Sequence, residues 1–155
     1  MSDQATVWLV EHGLGQQWGE DPPSHEDAYA NRVNTWAREG EATVAVDSAG
    51  TIQGFIVAGT YPPPYLDSDV ATRAVEDAAY IYTMISRMAP QSHGVGRALL
   101  GWASDWSNHL GVRYLRLDCW ADNPGLRAYY RRAGFFECDA YEEDGFKGVV
   151  MELVL

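Results

Sequence analysis

The chain is poor in cysteine, poor in lysine and without a long apolar run. Its two cysteines, Cys119 and Cys138, cannot staple a fold of 155 residues and match no metal-ligand spacing. Both sit in apolar runs and are expected as buried, reduced thiols. The four histidines, His12, His25, His93 and His109, are scattered without an H-x-x-x-H pair, so no metal site is expected. No stretch approaches the ~20 consecutive apolar residues of a membrane span, and no membrane association is expected. Met1-Ser2-Asp3-Gln4 lacks the basic and apolar regions of a secretion signal, which leads us to expect a cytoplasmic protein. Lysine and arginine together number 11 against 22 acidic residues, a net charge of −11, which argues against a nucleic-acid partner.

Apolar residues make up 46% and charged residues 21%, ordinary values for a globular chain. A single domain over residues 1–155 is expected, and a chain of this length buries roughly 70% of its unfolded surface, enough for a core of its own. The charge is uneven: residues 1–86 carry −10, residues 133–155 carry −5, and residues 87–132 carry +4 from seven arginines against three acids. An arginine island in an acidic chain suits a polyanionic small ligand, because the planar guanidinium offers paired donors. The plainer alternative is a set of solvated basic faces.

Patterning along the chain predicts alternating strands and helices. Thr6–Val10 reads as a short strand and residues 11–23, rich in Gly and Pro, as a loop with room for a short helix. Ser24-His-Glu-Asp27 resembles a capping box opening a helix to Glu39, with Tyr29, Val33, Trp36 and Ala37 at helical spacing and Gly40 as its stop. Strands Ala42–Val46 and Ile52–Thr60 flank a turn at Asp47–Gly50. Tyr61-Pro-Pro-Pro-Tyr65 reads as extended loop, residues 67–76 as polar with a short helical turn, and Ala78–Arg87 as a strand. A helix follows with Leu99, Trp102, Ala103, Trp106 and Leu110 in its stripe, ended by Gly111. Val112–Trp120 is a strand whose alternation sets Asp118 on the face opposite Leu117 and Cys119. Asn123-Pro124 opens a last helix that Gly134 closes, and Phe135–Cys138 and Val149–Leu155 read as closing strands. The fold class is mixed α/β (α+β), with helices packed on a twisted, largely antiparallel sheet.

Gln91-Ser92-His93-Gly94-Val95-Gly96 lies between a predicted strand and a predicted helix. Two glycines let the backbone turn sharply and approach a ligand, and the N–H groups and dipole at the helix start attract anions. Arg97 adds a cation in the first turn, where only a bound anion makes it favourable. No Lys-Ser/Thr follows the second glycine, so this is not a Walker loop, and it is not G-x-G-x-x-G.

The segment resembles the Q/R-x-x-G-x-G/A signature of the GNAT superfamily of acyl-CoA-dependent N-acyltransferases. Asn123-Pro-Gly-Leu-Arg-Ala-Tyr-Tyr130-Arg-Arg-Ala-Gly134-Phe135 is similar to that family's N-x6-Y-x3-G-F pattern. The resemblance is clear over residues 78–137 and only architectural over 1–77. It implies a GNAT-like sheet and transfer of an acetyl group from acetyl-CoA to a primary amine by direct attack in a ternary complex, with no metal and no cysteine nucleophile.

Carried over by position, the resemblance places the cofactor's pyrophosphate on Gln91, Ser92, His93, Gly94, Val95, Gly96 and Arg97. It places the pantetheine arm along Met84, Ile85 and Ser86, where a backbone N–H receives the thioester carbonyl. It makes Asn123 a contact to the cofactor arm, although an Asn-Pro start also suits a plain helix cap. It makes Tyr130 the acid that protonates the leaving thiolate and a further contact to the cofactor, with Tyr129 pointing about 100° away around the helix. Asp118 matches the place of a general base in some branches. An ion pair of Asp118 with Arg116 or another arginine of the island is the structural alternative, and Glu76, Asp77 or water are rival bases. Ser92-His93 departs from the family, most of whose members carry Arg or Lys there.

The acid-rich N-terminal half, with Trp18, Tyr29, Trp36, Tyr61 and Tyr65, suggests a cationic acceptor, a small molecule or a peptide amine. A homodimer through terminal strands is compatible with the resemblance. A non-catalytic acyl-CoA-binding regulatory module is the alternative function.

Overall fold

The computed structural model describes residues 1–18, 21, 27–63, 66, 77–89, 92–143 and 145–155. Its elements are α1 (Ser2–Glu11), a 3₁₀ turn (Gly15–Gln17), α2 (Asp27–Glu39), β1 (Ala42–Val46), β2 (Ile52–Gly59), β3 (Ala78–Ser86), α3 (Val95–Leu110), β4 (Tyr114–Trp120), α4 (Pro124–Arg132), β5 (Phe136–Glu143) and β6 (Phe146–Val154). Six strands form one sheet in the order β1-β2-β3-β4-β6-β5. The β3–β4 pair is parallel, and β1–β2, β4–β6 and β5–β6 are antiparallel. The mixed, largely antiparallel class expected from the sequence is therefore the observed one. The last strand, β6, is interior, and β1 and β5 are the edges.

By contacts the chain divides into one unit of Met1–Val57 with Thr83–Leu99 and a second of Ala58–Tyr82 with Leu100–Leu155. In the first unit the expected strand at Thr6–Val10 is instead part of α1. Ala5, Thr6 and Leu9 are buried while Val7, Trp8 and Val10 are exposed. That is the i, i+1, i+4 face of a helix and not the period of two of a strand. Thr6 Oγ1 donates back to Ser2 O at 3.3 Å, and the Ser2 hydroxyl meets the Tyr29 hydroxyl of α2 at 2.7 Å. The local β-propensity of Thr-Val-Trp-Leu-Val is overridden by this packing. Of the capping box, Ser24, His25 and Glu26 lie outside the described residues, as does the stretch 67–76. α2 ends as expected at Glu39, followed by Gly40 at φ +75°.

In the second unit Leu66, Ala78, Tyr80 and Val150 form a buried cluster, with Tyr82, Tyr114 and Tyr141 packed against it. Leu115 and Met151 are fully buried, and each contributes roughly 1.5–3 kcal/mol through burial. The second-unit part of α3 buries Leu100, Ala103 and Ser107, one stripe at i, i+3 and i+7. β5 runs five residues beyond the expected Cys138. Its register slips between Glu137 and Asp139, making Cys138 the extra residue of a bulge. Cys119 is buried as expected, whereas Cys138 is exposed; the bulge turns it out of the alternation that the apolar-run reading assumed.

Candidate active site

Within the first unit, β3 carries Met84, Ile85 and Ser86 toward the Gly-rich turn, with Ile85 buried and its neighbours half-buried. Close packing beneath the turn depends on Gly54 of β2: a Cβ there would come within 2.8 Å of Ile85 O and of Val95 Cγ1. Gln91 lies outside the described residues. Ser92 is turned inward: its hydroxyl donates to Gln53 Oε1 at 2.7 Å and its N–H to Ala89 O at 2.9 Å. The Gln53 amide donates in turn to Asp47 Oδ2 at 2.7 Å. Asp47 also accepts the N–H groups of Ala49 and Thr51, both at 2.9 Å. These bonds, the Thr51 one foremost, hold its carboxyl below the usual range. The chain Asp47–Gln53–Ser92 therefore ties the turn to the β1–β2 hairpin.

Gly94 has φ +85°, and a Cβ placed on it would meet nothing within 4 Å. Its conformation, not crowding, requires glycine. The first helical bond of α3 runs from Ala98 N to Gly94 O at 3.0 Å. The N–H groups of Val95, Gly96 and Arg97 thus have no carbonyl partner inside the helix, and the positive end of the dipole adds to them. No acidic residue occupies this first turn. Arg97 is exposed and has no ion-pair partner among the described residues. The arrangement is chemically fit to receive an anion.

Within the second unit, Asn123 caps α4, its Oδ1 accepting from Leu126 N at 3.0 Å, with Pro124 next in the chain. Tyr130 is buried on α4. Its ring meets Tyr129 and Phe135 edge-on at centroid distances of 5.4 and 6.0 Å. Burial raises its phenol well above the ordinary value, and charge at Cys119, Tyr129 or Asp118 would raise it further. The group stays protonated across the physiological range. Burial likewise pushes the Cys119 thiol up to about 12, with the Asp118 carboxylate adding to it, so this sulfur is not an activated nucleophile.

The β3–β4 ladder ends at Ile81↔Leu117, before Asp118. Asp118 is half-buried and accepts a hydrogen bond from the Tyr141 hydroxyl at 2.6 Å. The alternative partner, Arg116, is engaged elsewhere, its Nε and Nη2 on Glu152 Oε2 at 2.7 and 2.5 Å. Asp77 takes Arg113 at 3.8 Å and directly precedes the first residue of β3. Glu76 lies outside the described residues.

The arginine island is largely internal bookkeeping of charge. Besides Arg113 and Arg116, Arg127 and Arg131 both reach Glu137, and these two guanidinium groups lower that carboxyl to about 2. Both Arg113 and Arg116 also lie over the Tyr114 ring at 5.3 Å. Four of the island's seven arginines are thus paired with acids of the fold, Arg87 donates to Ile52 O at 2.7 Å, and Arg97 and Arg132 have no ion-pair partner among the described residues. Of the aromatics named for a cation, Trp36 already receives Arg32 at 5.8 Å and Tyr29 bonds Ser2. Trp18 and Tyr61 are exposed, and Tyr65 lies outside the described residues. No group of three or more metal-capable side chains is gathered among the described residues, and no described helix is long and apolar enough to cross a membrane.

Sequence reasoning missed Gln53 and Tyr141. Gln53 carried one signal, a polar residue inside an apolar strand that must find a partner when buried. Tyr141 carried none, lying past the expected end of its strand.

The Acetyltransferase (GNAT) family matches residues 9–135 of the chain. No curated protein matches. Among solved structures, a GNAT-family acetyltransferase of Listeria monocytogenes is 25% identical, covering 97% of this chain and 84% of that one with a TM-score of 0.71. The ribosomal-protein-alanine N-acetyltransferase of Brucella melitensis is 21% identical over 89% of this chain and 83% of its own, TM-score 0.62. A GNAT family acetyltransferase of Elizabethkingia anophelis, solved with acetyl-CoA bound, is 17% identical over 83% of this chain and 85% of its own, TM-score 0.60. At their level of identity the latter two speak to the fold. The family match runs from α1 through the helix that carries Tyr130, and on that extent the chain belongs to the GNAT family of acetyltransferases.

Proposed function

We propose that this chain transfers the acetyl group of acetyl-CoA to the primary amine of a cationic small molecule or peptide. The observation that carries the reading is the exposed turn at Gly94–Arg97. There, three helix-start N–H groups without helical partners stand beside an arginine outside any described ion pair. A diphosphate satisfies both. Ser92 serves the turn from beneath, through Gln53, and not by touching the phosphate with its side chain. Met84, Ile85 and Ser86 take the pantetheine arm, with a β3 N–H toward the thioester carbonyl, and Asn123 fixes the start of the helix that carries Tyr130.

In the step itself the amine nitrogen attacks the carbonyl carbon and the carbon–sulfur bond breaks. The β3 N–H steadies the oxyanion between these events, an effect of a few kcal/mol in comparable sites. Tyr130 donates its proton to the departing thiolate, and Asp118 accepts the proton that the amine loses. A proton passed back to the phenolate through solvent restores both groups. The net charge of −11 favours a cationic acceptor.

The test is free-thiol release from acetyl-CoA with spermidine, an aminoglycoside, a peptide with a free N-terminus and a lysine side chain. Turnover with one class supports the reading. Tight binding of coenzyme without turnover on any of them replaces it with a regulatory acyl-CoA sensor, and neither binding nor turnover removes it altogether. A second expectation concerns the support of the turn. Gln53→Leu keeps the side-chain volume and removes both of its hydrogen bonds. It should raise the KM for acetyl-CoA about tenfold while leaving kcat at saturation nearly unchanged. An unaltered KM in steady-state kinetics would show that the turn holds its shape without this relay.

A further inference from the structure

We infer that Tyr141 is a positioning residue for the Asp118 carboxylate, and that Gly148 is the gap through which it reaches. The inference rests on the reading of Asp118 as the base that accepts the amine's proton.

Tyr141 and Asp118 are not neighbours in the sheet. β6 lies between their strands. Asp118 pairs with Val150, which pairs in turn with Asp139; one step along, Trp120 pairs with Gly148, and Gly148 with Tyr141. The two strands are therefore separated by two inter-strand spacings, about 10 Å. A β5 side chain crosses that distance only if nothing rises from β6 beneath it. At Gly148 nothing does, and a Cβ added there would overlap Cε1 and Cζ of the Tyr141 ring. The ring lies across the glycine, tilted against Phe146 at a centroid distance of 6.2 Å, and its hydroxyl donates to Asp118 Oδ2 at 2.6 Å.

The bulge makes this possible. Up to Glu137↔Met151 the β5 register would carry residue 141 to the face opposite Asp118. The extra residue at Cys138 turns the alternation over, so Asp139 pairs with Val150 and Tyr141 with Gly148. An inserted residue, a side-chain-free position and a tyrosine together deliver one hydrogen bond to one carboxylate. A structural tyrosine in the cluster needs none of the three to coincide with Asp118.

Other charged or titratable groups among the described residues share its face of the sheet. Asp139 shares its row from β5, and the Arg116–Glu152 pair occupies the next row on β4 and β6. Tyr80 stands beside Arg116 on β3, and Tyr130 of α4 feels the charge of Asp118. Asp139 repels, and Arg116 is already neutralised by Glu152. The Tyr141 hydroxyl is a donor that orients Oδ2. Losing this bond weakens the aim that proton transfer needs.

The experiment is a double-mutant cycle with the acceptor amine that the thiol-release panel selects. Tyr141→Phe should lower kcat about tenfold and leave the KM for acetyl-CoA and the melting temperature unchanged. Asp118→Asn should lower kcat further, and Tyr141→Phe added to it should cost nothing more. Gly148→Ala, which keeps both functional groups and obstructs the ring, should reproduce the loss of Tyr141→Phe. If Asp118→Asn slows the enzyme but Tyr141→Phe is silent, or adds its full effect in the double variant, the positioning role is overturned while the base stands. If Asp118→Asn leaves kcat intact, or no amine on the panel turns over, the base reading falls and this inference with it.

Discussion

Gly94→Glu abolishes acetyl-CoA binding without unfolding the protein. Space at this position is open, so the added side chain meets no packed atom. Its cost to the fold is that of a non-glycine residue at φ +85°, about 1–2 kcal/mol. A carboxylate at a helix start partly offsets that strain through the dipole. The coenzyme gains nothing in return. Two like charges about 4 Å apart repel by about 4 kcal/mol at the effective dielectric of a protein surface, and the side chain occupies the place the diphosphate needs. We expect CoA affinity to fall at least ~100-fold by titration calorimetry, with Gly94→Ala weakening binding only modestly and thereby separating backbone strain from charge. A folded Gly94→Glu protein that binds CoA within threefold of the parent would move the diphosphate elsewhere on the molecule.

Tyr130→Phe lowers kcat by about 10²–10⁴ and leaves CoA affinity where it was. Phenylalanine preserves the edge contacts with Tyr129 and Phe135, so the change is confined to one proton. Burial keeps that proton on the oxygen far above neutrality. The phenol is therefore loaded as an acid whenever a thiolate departs, and its own ionisation should not limit the rate below about pH 10. Tyr129→Phe is the matched control and should be close to silent. Single-turnover kinetics with bound acetyl-CoA read the difference directly. Equal rates for the parent and Tyr130→Phe would assign protonation of the sulfur to solvent.

The motifs that carry the site were legible because their spacing is enforced by backbone geometry. The Asn123 cap and its proline announce a helix start, and Gly134 announces its stop, so Tyr130 is placed on α4 by punctuation alone. Gly94 announces a turn before α3 in the same way. Two things resisted. Thr6–Val10 carries the residues of a strand, yet the chain there buries Ala5, Thr6 and Leu9 at helical spacing, a choice set by packing that no local window contains. β5 was cut short because its residues Phe136–Glu143 are mostly exposed and half of them acidic, and because the bulge at Cys138 interrupts the period of two on which a strand is recognised. The hydrogen bond to Asp118 begins beyond that interruption. The arginine island misled for a related reason: composition counts cations without seeing that Glu137 is shared by two of them and that Glu152, 36 residues from Arg116, pairs with a third.

The relay under the Gly-rich turn bears on how this protein can be altered. A hairpin tip such as Asp47–Gly50 is ordinarily where a tag, a label or an extra residue goes unnoticed. Here the same tip holds Gln53, and Gln53 holds a serine 39 residues further on. Grafts and affinity handles belong on another loop, since lengthening this one loosens the seat on which the ligand's charge is to rest.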